Sequence, residues 1–60
     1  MKTVVVTYLS DKEETQKYEL LVSENKIAEA VHNLLSHGLE MFLNGGVLII
    51  PEHRILSIWY

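Results

Sequence analysis

The chain has sixty residues and no cysteine, which leaves room for one domain, residues 1–60, and excludes a secreted fold stapled by disulfides. Hydrophobic residues make up 48% of it, too many for a disordered segment. Five Lys and Arg stand against eight Asp and Glu, and the basic residues Lys2, Lys12, Lys17, Lys26 and Arg54 are scattered, which disfavours binding to a phosphate backbone.

Met1-Lys2-Thr3 runs straight into Val4-Val5-Val6 without the long apolar core and cleavage site of a signal peptide. The longest apolar run, Val47-Leu48-Ile49-Ile50, is too short to span a bilayer. A reducing, cytoplasmic setting without membrane contact is the expectation.

In chain order, Thr3 to Leu9 is rich in β-branched and aromatic residues and predicts a strand with Val4, Val6 and Tyr8 on one face. The polar stretch SDKEETQ follows, then Lys17 to Val22, where Tyr18, Leu20 and Val22 alternate with Lys17, Glu19 and Leu21. Two such strands joined by a loop of about six residues predict an antiparallel hairpin. Ser23 is placed to cap a helix with its hydroxyl, and Glu24 suits the positive end of the helix dipole. Ile27, Val31, Leu34 and Leu35 recur at helical spacing. Gly38 is expected to end the helix in a Schellman motif, with Leu39 packing back on Leu34. The segments LEMFL and VLII flank Asn44-Gly45-Gly46, where glycine admits a tight turn. Pro51 closes that strand, and ILSIWY supplies the last one. The order ββαβββ predicts an α+β fold in which one small antiparallel sheet is backed on one face by one helix.

One helix covers one face of a sheet, whereas a sheet with a wet face should alternate apolar and polar residues. Val47 to Ile50, Val4 to Val6 and the run Ile55, Leu56, Ile58, Trp59, Tyr60 do not alternate. Leaving several such side chains in water forgoes a few kcal/mol at roughly 25 cal/mol per Å², a large share of the ~5 kcal/mol that holds a small domain together. A homo-oligomer is therefore expected, most simply a two-fold dimer through the helix-free sheet face; the alternative is a strongly curled sheet that closes on its own second face, as in a small barrel. Val5, Leu48, Ile50, Leu56, Ile58, Trp59 and Tyr60 are the dimer's candidate interface, or the contact with a protein partner. Asp11, Glu13, Glu14 and Glu40 are the candidate electrostatic contacts.

Chemistry is harder to find. His32 and His37 are five apart in the predicted helix, on different faces, where a metal pair wants three or four. No Ser sits in a G-x-S-x-G elbow, and Glu13-Glu14 lies in an exposed loop. Gly45-Gly46 leads into a strand, with no Gly-Lys-Ser to hold a phosphate. No catalytic residue, metal site or cofactor is expected, and the chain is not expected to be an enzyme.

The segment Ile50-Pro51-Glu52-His53-Arg54-Ile55 resembles the tail of a small prokaryotic family that carries no known activity. In size and in its strand–acidic loop–strand–helix order, the chain is similar to phage inhibitors of uracil-DNA glycosylase. That resemblance implies a dimer that traps an apolar loop and presents carboxylates in place of DNA phosphates. It is one of organisation, without a shared motif, so it assigns no residue a role. The leading expectation is a small non-enzymatic protein-binding module, a homodimer of the phage or mobile-element inhibitor type that occupies a partner protein's surface. The alternatives are a nucleic-acid-binding or transcriptional accessory dimer, with Lys2, Lys17, Lys26 and Arg54 gathered on one face, and a structural subunit of a larger assembly.

Overall fold

Two long strands open the fold in the computed structural model, which describes every residue from Met1 to Tyr60. Strands β1 (Lys2–Leu9) and β2 (Thr15–Val22) pair antiparallel along their whole length, from Lys2 opposite Val22 to Leu9 opposite Thr15. The intervening turn is held by Ser10. Its N–H donates to the Glu14 carbonyl at 2.9 Å, its carbonyl accepts from Glu13 N–H at 2.9 Å, and its hydroxyl accepts from Glu14 N–H at 3.2 Å. A short hydroxyl side chain that satisfies nearby backbone groups stabilises such a turn over a longer strand.

The first turn of the helix differs from expectation. Ser23 is extended and its hydroxyl makes no capping bond; its backbone carbonyl accepts from Lys26 N–H at 2.8 Å instead. The i→i+3 bond winds Glu24–Lys26 as a 3₁₀ turn. Helix α1 (Ile27–His37) follows. Leu34 is buried while Leu35 lies 60% exposed, because neighbours on a helix point about 100° apart and only one can face the core.

At Gly38 the expected positive φ is present (86°), but ψ is extended at −173°, so no Schellman motif forms. One bond, Gly38 N–H to the Leu34 carbonyl at 3.0 Å, closes the helix, and the chain runs directly into β3 (Leu39–Leu43). Asn44 and Gly45 both take positive φ (41° and 82°), the mirror-image geometry of a two-residue hairpin turn. They return the chain as β4 (Gly46–Ile50), with Leu43 opposite Gly46 and Leu39 opposite Ile50. Pro51 and a 3₁₀ turn over Glu52–Arg54 lead to β5 (Ile55–Trp59).

The fold is α+β with five antiparallel strands in the order ββαβββ and one helix. The strands do not form the single expected sheet. One sheet has the order β2-β1-β5, and β3 and β4 stand apart as a two-stranded hairpin. Val4 and Val6 from β1, Leu34 from α1, Leu39 and Met41 from β3 and Ile50 from β4 form the buried core. Tyr8, Tyr18, Leu20, Val22, Ile55 and Ile58 pack around it. Helix and hairpin base thus cover the same face of the three-stranded sheet together. Strands β3 and β4 form part of this lid, while β5 occupies the side of β1 that β2 leaves open.

Candidate interaction surface

Exposed apolar side chains lie on the helix-free face, at Leu21 and Trp59, and also on the β3–β4 hairpin. Behind the three-stranded sheet, Val5 and Trp59 pair across β1 and β5, while Thr7 meets Ser57 and Val5 faces Glu19. Thr3, Lys17 and Leu21 complete that surface, which mixes polar residues with the exposed side chains of Leu21 and Trp59.

The β3–β4 hairpin is built differently. Its inner face buries Leu39, Met41 and Ile50 at the base. Tyr8 anchors this base from β1, its hydroxyl donating to the Met41 sulfur at 3.9 Å. On the outer face the register sets Phe42 opposite Val47 and Glu40 opposite Ile49. Phe42 is 75% exposed, and Val47 and Ile49 are both exposed. Toward the tip Leu43 and Leu48 are exposed on the inner side too, so the hairpin outruns the sheet it leans on. From Met41 to Ile50 no residue carries a charge.

An isolated two-stranded hairpin is at best marginal in water, and contiguous apolar patches beyond a few hundred Å² mark contact sites. The total accessible surface is 4480 Å², about a tenth above the roughly 4000 Å² expected of a compact monomer of 6.9 kDa.

The structure distributes the candidate interface residues among four environments. Ile50 is 4% exposed and belongs to the core, where its register opposite Leu39 turns it inward. Ile58 and Val5 are half-buried, and Ile58 packs on the core. Trp59, Tyr60 and Leu56 are exposed. Leu56 is the extra residue of a bulge, since Thr7 pairs with Ser57 and Tyr8 with Ile55. Leu48 sits exposed on the arm.

Asp11 and Glu14 meet Leu48 and Ile50 in a groove of about 340 Å³, completed by Tyr8, Ser10, Lys12 and Gln16. The groove therefore joins the apolar side chains Leu48 and Ile50 to a polar set with two carboxylates, Asp11 and Glu14, and one amine, Lys12. Across the fold, Arg54 reaches from the 3₁₀ turn and donates through Nη1 to the Ser10 carbonyl at 3.0 Å, clamping the acidic turn from behind. Glu13 occupies a positive-φ position (60°) at the turn, and Glu40 lies apart on the outer face of the arm, opposite Ile49. Among the basic residues, Lys26 pairs with Glu29 at 3.5 Å on the helix surface, and Arg54 is engaged with Ser10.

Phe42, Val47, Ile49 and Leu43 were not among the candidate residues. A signal existed: counting back by twos from the Asn-Gly turn places Phe42, Val47 and Ile49 on one face, with Glu40 their only polar neighbour. No group of three His, Asp or Glu side chains converges to hold a metal ion, and no helix is long and apolar enough to cross a membrane.

The architecture defines a class, a minimal α+β domain with an apolar hairpin arm beside an acidic groove. Comparison with protein-family models, curated proteins and solved structures finds no match that would narrow that class to a family.

Proposed function

We propose that this chain is a small non-enzymatic protein-binding module that works as a cytoplasmic homodimer and occupies a partner protein's surface, in the manner of phage and mobile-element inhibitors. The observation that carries the reading is the arm. Phe42, Val47 and Ile49 stand in water on one face of a hairpin whose only charged residue is Glu40, and Leu43 and Leu48 flank them. Each 100 Å² of apolar surface taken out of water contributes about 2.5 kcal/mol, a large fraction of the stability of a sixty-residue domain. Contact through the arm would thus stabilise both the fold and the complex. The acidic turn supports the second half of the reading, because Asp11 and Glu14 lie on the groove beside the arm and would orient a partner bearing positive charge.

Sedimentation velocity across a wide dilution series tests the dimer. A dimer that dissociates on dilution is expected, and Phe42→Ser is expected to weaken capture of a partner protein without unfolding the chain. A monomer at every concentration, together with capture that ignores Phe42→Ser, would leave the reading without support.

A further inference from the structure

The molecule has four free strand edges, and three of them are guarded. Free edges present unpaired backbone groups that template further pairing unless charge, proline or a bulge intervenes. Edge strand β2 carries Lys17 and Glu19, β3 carries Glu40, and β5 is kinked by the bulge at Leu56. β4, with the sequence GVLII, has none of these devices until Pro51 ends it.

The two-residue turn fixes which backbone groups that edge offers. In such a hairpin the flanking pair, Leu43 and Gly46, exchanges both hydrogen bonds, and bonded and non-bonded pairs then alternate. Met41 with Leu48 and Leu39 with Ile50 are therefore bonded pairs, whereas Phe42 with Val47 and Glu40 with Ile49 are not. The N–H and C=O groups of Val47 and Ile49 consequently point away from β3, to the open side. Their side chains are exposed as well.

We infer that two copies of this chain join by antiparallel pairing of β4 with β4, about a two-fold axis at Leu48. This rests on the dimer proposed above and specifies its geometry. With the axis at Leu48, Val47 of each copy lies opposite Ile49 of the other, so the open amides and carbonyls of both strands are satisfied at once. The pairing joins the two arms into a four-stranded sheet, β3-β4-β4-β3. On its outer face Phe42 and Val47 of one copy continue into Ile49 and Glu40 of the other, and on its inner face the two Leu48 side chains meet beside the acidic groove. A second copy is favoured over another occupant for two reasons. The edge bears no charge that a foreign strand could read, and like-with-like pairing brings no repulsion. Pairing β4 onto β2 or β5 of another copy would be head-to-tail and would not close by itself, whereas β4 on β4 closes as a dimer.

Amide hydrogen exchange on the intact chain, read by NMR alongside sedimentation, gives the direct test. The Val47 and Ile49 amides are expected to be protected at least about tenfold more in the dimer than after dilution to monomer, while the Leu48 amide, bonded within the hairpin, changes less. A dimer in which Val47 and Ile49 exchange as freely as in the monomer would overturn the edge pairing and leave the homodimer standing. A chain that never dimerises would remove both. Charge complementation then locates the axis. Leu48→Lys alone and Leu48→Glu alone each set like charges face to face and are expected to weaken dimerisation at least about tenfold, and an equimolar mixture is expected to restore it. Failure of the mixture to restore the dimer places the axis away from Leu48 and overturns the inference.

Discussion

The three-stranded sheet and the two-stranded hairpin are made of similarly apolar strands and end in opposite states. Val4 and Val6 of β1 are wholly buried, while Val47 and Ile49 of β4, equally β-branched, stand in solvent. β1 has a strand on each side and the helix with the hairpin base above it. β4 has one neighbour, and only its C-terminal end reaches the core. Composition alone does not bury a strand; a second layer must be within reach, and in a chain this short a single helix and a hairpin base exhaust the supply.

The sharpest way to break the contrast is at the root of the arm. Gly38 and Gly45 both have positive φ, but a Cβ at Gly38 would fall against the Ile50 carbonyl oxygen and lie 3.2 Å from the Glu52 nitrogen, whereas one at Gly45 meets nothing within 4 Å. Gly38→Ala is therefore expected to cost about 3–5 kcal/mol, enough to unfold much of the protein, and Gly45→Ala only about 1 kcal/mol of backbone strain. Urea denaturation of the two variants side by side checks this. Equal losses would mean that the helix end and the exit of β4 are not packed backbone to backbone.

Within β3, Leu39 and Phe42 sharpen the same comparison. Leu39→Ala removes a core side chain that is 1% exposed and is expected to cost about 3 kcal/mol. Phe42→Ser, measured where the protein is monomeric, is expected to stay within about 0.5 kcal/mol of the parent. Thermal melts at low concentration distinguish them, and a large loss from Phe42→Ser there would show that the arm folds back on its own subunit.

A smaller effect than that of Leu39→Ala belongs to Arg54. Its bond to the Ser10 carbonyl is partly buried and charge-assisted, so Arg54→Ala is expected to lower stability by about 1 kcal/mol. The same change should loosen the acidic turn, visible as faster exchange of the Glu13 and Glu14 amides, whose acceptors are both on Ser10. Unchanged exchange would show that the turn is held by Ser10 without the clamp.

Much of the local structure could be read from residue types. The inner faces of β1 and β2 alternate as predicted because period-two burial is a local property of the strand, and Asn44-Gly45 turned the chain because both residues accept positive φ. The 3₁₀ start of the helix was not legible, since Ser23 can serve equally by its hydroxyl or its carbonyl and Lys26 stands where a capping acid would decide between them. The burial of Ile50 was not legible because four consecutive aliphatics, Val47 to Ile50, show no alternation from which to choose a face. The link between Arg54 and Ser10 spans more than forty residues and leaves no sequence pattern.

The sequence by itself determined the element order, the antiparallel pairing of neighbours and the excess of apolar side chains over available cover, all of which follow from spacing and side-chain chemistry within a few residues. Only the tertiary structure decided that β5 closes onto β1, that β3 and β4 become a separate lid, and that the arm carries part of the excess beside the sheet's far face. Those outcomes depend on competition for one strand edge between segments far apart in the chain, and no local pattern records which segment wins.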